Sequence, residues 1–306
     1  MRMSHSRIKL WLRCRRAHWY KYVRHLKKRV KRRPLMIGSI IHDMRKSFYK
    51  GRDPWEVLAR YDDKYKTYFL AEQEHYGDII GNARKIMTAY FDKYRDEKLS
   101  YIERRFMAPL IEDIWITGLV DGIKPKRFAV IDTKSSSKEK SDIENFINVQ
   151  SAIYMHFVKA VGWLRKVEVM IWEYIKSSPP AIPEMTQKGG MSKRQIDTTW
   201  TVYKQALLDN DLDPNDYRDM EEKLGGKEDS FIKRVEFPYN PVAVKSLVRE
   251  TQLAALEIRR RKKDNHRTID RHCSWCDYQA LCQAELLGED TEHLLRTEYT
   301  TVRGGI

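Results

Sequence analysis

Apolar positions recur first with the period of a helix and then with that of a strand. Ile8, Trp11, Leu12, Trp19 and Tyr22 fall three, four or seven residues apart, or side by side, and predict one helix over Ser4–Lys28, with Ser4 or Ser6 available as its cap. Its polar side carries Arg13, Arg15, Arg16, Lys21, Arg24, Lys27 and Lys28. Further helices are expected over Met36–Tyr49, Pro54–His75 and Gly77–Glu97, whose Trp, Tyr, Phe and Leu spacing reads as ordinary core packing. From Leu99 the period shortens to two. Leu99–Leu110 alternates through Tyr101, Ile102, Phe106 and Met107, and the apolar runs Ile114–Ile123 and Phe128–Thr133 flank the turn Lys124-Pro125-Lys126-Arg127 as a hairpin. A polar loop, a helix over Asp142–Val161 and a strand within Leu164–Ile175 follow. Strand, helix, strand at this length predicts a parallel pair joined by a right-handed crossover.

Beyond that unit, Ser177–Gln195 holds three prolines and a Gly-Gly pair and reads as an irregular loop. Thr198–Leu224 is helical and amphipathic, Phe231–Tyr239 a strand, and Pro241–Lys263 a helix ending in Arg259-Arg260-Arg261-Lys262-Lys263. The fold class is therefore α/β, a mixed central sheet flanked by helices. The expected organisation is a helical region over 1–98, a sheet-bearing core over 99–175, a loop and helical insert over 176–230, a strand, helix and cysteine trio over 231–287, and a weakly held tail over 288–306.

Composition narrows the partners. A formal charge of +15 over 306 residues points to a polyanion, nucleic acid first and an anionic membrane surface second. No apolar run approaches the roughly 18 residues of a spanning helix. The opening MRMSHSRIKLWLRCRRAHWY lacks the apolar core of a secretory signal, so a reducing, cytoplasmic setting is expected. Four cysteines in such a setting suit metal ligands or buried thiols better than disulfides. The run Lys27–Arg33 is either a solvated face or a phosphate contact.

Candidate chemistry concentrates in Gly118–Ser137. Strand alternation puts Asp132 and Lys134 on one face and Thr133 on the other, with Asp121 near the end of the preceding strand. Two carboxylates and an amine at a sheet edge suit a divalent cation and an activated water; the bland alternative is a strand with charges on its solvent face. Gln150 and Tyr154, four residues apart, share a helical face. His42 sits mid-helix, where a lone histidine is ordinarily structural. Cys273, Cys276 and Cys282 are separated by two and then five residues, with Cys14 far upstream. Four thiolates suit a tetrahedral zinc or an iron–sulfur cluster, and a trio plus one remote cysteine fits the cluster better.

In order, Cys14, His42 in GSIIH, Asp121 in GLVD, Asp132 and Lys134 in IDTK, Gln150-Ser-Ala-Ile-Tyr154 and the cysteine trio resemble the PD-(D/E)XK nuclease superfamily, in its RecB-like branch with a four-cysteine cluster. The resemblance implies a restriction-endonuclease-like core and an exonuclease acting on DNA ends or single strands in recombination, repair or DNA processing. It implies Mg2+ or Mn2+ on Asp121, Asp132, the Thr133 carbonyl and His42. Lys134 would act on the attacking water and the phosphate, and Gln150 and Tyr154 would fix the helix and contact DNA. Cys14, Cys273, Cys276 and Cys282 would hold a structural [4Fe–4S] cluster, and partners would be helicases, annealing or integration proteins. Residues 177–224 lie outside the family's minimal core. The rival is a non-catalytic nucleic-acid-binding iron–sulfur or zinc protein. An idle centre should have lost Asp121, Asp132 or Lys134, and all three are present.

Overall fold

The computed structural model describes residues 1–136 and 141–302; parts of the expected polar loop and tail lie outside them. Nine strands are described: β1 (Arg2–Ser4), β2 (Leu26–Lys28), β3 (Arg104–Ile111), β4 (Ile114–Val120), β5 (Gly122–Lys124), β6 (Ala129–Ser135), β7 (Val169–Ile175), β8 (Ile232–Pro238) and β9 (Tyr299–Thr301). They form a three-stranded sheet β1-β4-β3, a two-stranded pair β2-β9 and a four-stranded sheet β5-β6-β7-β8. The expected parallel pair is β6 with β7, in register Asp132↔Trp172 and Lys134↔Tyr174. The mixed α/β class holds.

Helices cover both faces of the four-stranded sheet. Val130, Met170, Trp172 and Tyr174 join one core with Ile153, Phe157 and Val158 of the Val149–Ala160 helix and Val248 and Ala255 of the Pro241–Arg260 helix. On the other face Ile175 and Ile232 join Ile37, Ile41 and Met44 of the Arg33–Tyr49 helix, with Leu58, Met87 and Tyr90 behind them. Asp132 and Lys134 continue the Val130 face of β6, and Thr133 and Glu173 face the other way.

Several elements differ from expectation. The apolar run 114–123 is not one strand: β4 ends at Val120, β5 starts at Gly122, and the two lie in different sheets with Asp121 at the break. Only β5 pairs antiparallel with β6, over three residues from Gly122↔Ile131 to Lys124↔Ala129. The first helix is broken at Cys14, whose extended backbone (φ −161°, ψ 116°) separates His5–Arg13 from Arg15–Tyr22. That single extended residue redirects the second helix so that Tyr20 packs on Tyr278 at 5.2 Å and the Arg16 amide donates to the His266 carbonyl. Lys27 and Lys28, expected on the same helix, lie instead in β2.

Asn148 caps a new helix and so divides the expected Asp142–Val161 helix. The Pro54–His75 helix breaks between Lys66 and Leu70, and the Thr198–Leu224 helix is interrupted after Leu208 by a turn leading to Pro214. The tail is better held than expected. Residues Glu292–Glu298 are helical, β9 pairs antiparallel with β2, and the buried Tyr299 stacks on Tyr278 at 5.8 Å.

Candidate active site

Because β5 is short, β6 loses its ladder partner just before Asp132. The side chain of Asp121 takes that place: its Oδ2 accepts from the Thr133 amide at 2.6 Å. A carboxylate thus replaces a strand carbonyl, which satisfies a buried N–H and fixes Asp121 beside Asp132. Both acids are buried, at 5% and 2% exposure.

On the same strand face, Lys134 Nζ lies 2.5 Å from Asp132 Oδ2 and donates to Gln150 Oε1 at 3.2 Å. Gln150 Nε2 donates in turn to Asp132 Oδ1 at 2.9 Å and to the Tyr154 hydroxyl at 3.0 Å. The helical spacing of Gln150 and Tyr154 is what lets one amide meet both. Burial pushes the Asp132 carboxyl up to about 6; Lys134 pulls it down and Asp121 adds to the rise. Burial alone would lower the Lys134 ammonium, but the charge of Asp132 raises it above its ordinary value.

The Arg33–Tyr49 helix brings His42 to the other side of Asp121. His42 Nδ1 lies 3.3 Å from Glu103 Oε1 and 3.8 Å from Asp121 Oδ2. Burial would lower the imidazole pKa, yet the Glu103 bond and the Asp121 charge leave it raised. Asp121 is raised too, by burial first, with His42 opposing and Glu103 adding to it. Glu103 was missed in the sequence. It sits at φ 46° in the turn ahead of β3, and the Ser100↔Ile123 bridge carries that turn to β5. Its only local sign is an acidic residue beside two arginines.

His42, Glu103 and Asp121 offer one ligand atom each within 4.8 Å of one another. Asp132 Oδ2 is buried and accepts no well-oriented hydrogen bond among the described residues, although Lys134 is close. Three carboxylates and one imidazole, with like charges crowding each other, are a fitting donor set for a hard divalent cation.

Behind the site lies a buried ionic network. Arg45, three residues after His42, donates to Glu173 Oε2 at 2.7 Å, to the Tyr90 hydroxyl at 3.0 Å and to the Asp121 carbonyl at 2.9 Å. Glu173, on β7, also accepts from Thr133 Oγ1 at 2.8 Å and from Arg234 Nε at 2.8 Å. Thr133 therefore faces away from Asp132 and Lys134, as the strand period requires, and ties β6 to this network.

All four cysteines are free thiols and line one cavity of about 210 Å³. Arg267 Nε donates to Cys282 Sγ at 3.3 Å, and Arg13 and Arg16 line the same cavity. Burial raises the Cys276 thiol.

The comparisons with known proteins agree with this geometry. The family profile described as the PD-(D/E)XK nuclease superfamily matches residues 2–283. A crystal structure of a "putative exonuclease" from Eubacterium rectale superposes with a TM-score of 0.51 at 12% identity, covering 90% of this chain and 87% of that one. The structure of SSO0001, at 15% identity over 74% of this chain and 80% of that one, gives a TM-score of 0.32, too low to carry weight. No curated protein matches.

Proposed function

From the premise that this chain belongs to the PD-(D/E)XK nuclease superfamily, we propose that it is a DNA exonuclease hydrolysing phosphodiesters at ends or in single strands with Mg2+ or Mn2+. The observation that carries the reading is Asp132 and Lys134 side by side on β6, locked by Gln150 and adjoining the His42, Glu103 and Asp121 cluster. The charge of +15 suits a polyanionic substrate, and the name of the Eubacterium rectale neighbour points the same way. No described helix is long and apolar enough to cross a membrane.

His42, Glu103, Asp121 and Asp132 would hold the cation, with the Thr133 carbonyl as a further oxygen. Such a cation supplies Lewis-acid stabilisation of charge on the phosphate. The protein's own groups do the rest. Lys134 holds the attacking water by hydrogen bonding and offsets negative charge that grows on the phosphate. Asp132 orients that ammonium, and Gln150 prevents both from turning away. Tyr154 holds Gln150 and, with it, the helix that faces the substrate. The test is digestion of end-labelled single- and double-stranded DNA with Mg2+, Mn2+ or EDTA. Wild type should cut only with metal, and Asp132→Ala should bind DNA without cutting it. Cleavage by Asp132→Ala at the wild-type rate would refute the assignment.

The cysteines hold a [4Fe–4S] cluster in this reading. The arginines that line the cavity suit thiolate charge. The cluster joins the Cys14 break to the last helices and has a structural role. Brown protein with broad absorbance around 400 nm supports it, and colourless protein with one zinc per chain refutes it.

A further inference from the structure

Five cations line a cavity of about 460 Å³ between the Arg33–Tyr49 and Pro54–Lys66 helices: Lys46, Lys50, Arg52, Arg60 and Lys64. None forms an ion pair or side-chain hydrogen bond among the described residues. The one acid in the lining, Asp43, accepts from the Tyr61 hydroxyl at 2.7 Å, and the cations outnumber it five to one. Like charges held around one concavity repel each other, and an anion relieves that cost.

The position of the cavity says which anion. Lys46 lies one helical turn after His42, and Ser39, one turn before it, lines a second basic cavity of about 630 Å³ with Lys27, Lys28, Lys31 and Arg32. Lys31 donates to Ser39 at 3.1 Å, and its ammonium is held below its ordinary value by burial first, then by Lys27 and Lys64. Lys64 lines the first cavity, so positive charge is continuous between the two, and His42 stands between them on the helix. A compact ion would fill one cavity. A chain of phosphates fits both and passes the His42 site on the way.

We propose that the cavity lined by Lys46, Lys50, Arg52, Arg60 and Lys64 grips the backbone phosphates of the nucleic-acid strand whose neighbouring segment lies at the His42 site. The proposal rests on the nuclease reading and extends it to a strand path along this helix. The probe is fluorescein-labelled oligothymidylate of about 20 nucleotides, longer than a typical single-strand site. Anisotropy is read in EDTA, where nothing is cut, for wild type, Arg60→Ala/Lys64→Ala and Lys46→Ala/Lys50→Ala.

Each lost phosphate contact reduces the slope of log affinity against log salt by about 0.7, so each pair should reduce it by about 1.4. From about 50 to about 200 mM salt, wild type then loses about sevenfold more affinity than either variant. Wild-type slopes in both variants overturn the proposal. ATP binding that both pairs abolish, with oligonucleotide slopes unchanged, would make the ligand a free polyphosphate and also overturn it. The two readings fail separately. Wild type that binds but never cuts with metal refutes the nuclease reading, whereas wild type that cuts while both variants keep its slope refutes the strand path.

Discussion

Arg45→Met removes the guanidinium that joins the core to the candidate metal site while keeping an apolar stem of comparable length. Arg45 and Glu173 both have side chains at 0% exposure, with Nε and Oε2 2.7 Å apart. Breaking a buried ion pair by deleting one partner costs about 3–5 kcal/mol. Glu173 keeps Arg234 Nε at 2.8 Å and Thr133 Oγ1 at 2.8 Å, which places this loss at the lower end, about 3 kcal/mol. The Asp121 carbonyl also loses its donor at 2.9 Å, and an unsatisfied buried carbonyl costs about 1–3 kcal/mol. The two losses share one side chain and do not simply add, so the expected total is about 3–5 kcal/mol. Against a typical stability of about 5–15 kcal/mol, that leaves a folded but weakened protein. Urea unfolding of metal-free protein reads this loss.

Because Arg45 holds the backbone of Asp121, the Met variant should also bind Mn2+ about 10- to 100-fold more weakly by calorimetric titration. Arg45→Lys keeps the charge but cannot span Glu173, Tyr90 and Asp121 with one compact ammonium, so it should fall between the two. A Met variant within about 1 kcal/mol of wild type, with unchanged Mn2+ affinity, would refute the positioning argument.

Cys276→Ala should lose absorbance near 400 nm and melt at lower temperature, whereas Lys134→Ala should keep both and lose cleavage; the opposite pattern would reverse the two centres. Gly118→Ala should destabilise by about 1–3 kcal/mol in urea, because its Cβ would come within 2.6 Å of the Phe106 ring and 2.8 Å of Tyr154. Tyr154 supports Gln150, so cleavage should fall with it, and an unchanged unfolding midpoint would count against this packing. Burial alone would raise Glu97, but bonds from Arg234, Lys124 and Tyr49 outweigh it and hold its carboxyl down at about 2, below its ordinary 4.5. A depressed folded pKa stabilises above the unfolded value and is lost as pH falls from about 4.5 through about 2, here by up to about 3 kcal/mol. Glu97→Gln should flatten the urea stability profile across that window, and a profile as steep as wild type would show that other acids dominate.

What the sequence determined on its own was whatever depends on residues close in the chain. The period of two set Asp132 and Lys134 on one face of β6 and Thr133 on the other, and the helical period set Gln150 and Tyr154 on one face. The order of motifs was enough to indicate the superfamily, which the match over residues 2–283 bears out. The cysteine trio pointed to a site with Cys14, and all four do line one cavity. Tertiary structure decided what depends on distance between remote segments. Local pattern reads 114–123 as one strand because Asp121 interrupts it by a single residue; only the competing claims of two sheets break it there and free the carboxylate for Thr133. Cys14 lies in a helical pattern that its neighbours would continue, and packing of Tyr20 on Tyr278 makes the extended kink the better solution. Arg45 carried no local sign of its role, and Glu103 only that of an acid beside two arginines. An isolated acid and an isolated arginine look like surface residues, and they gain meaning only when folding buries them beside opposite charge and removes the water that would otherwise screen them.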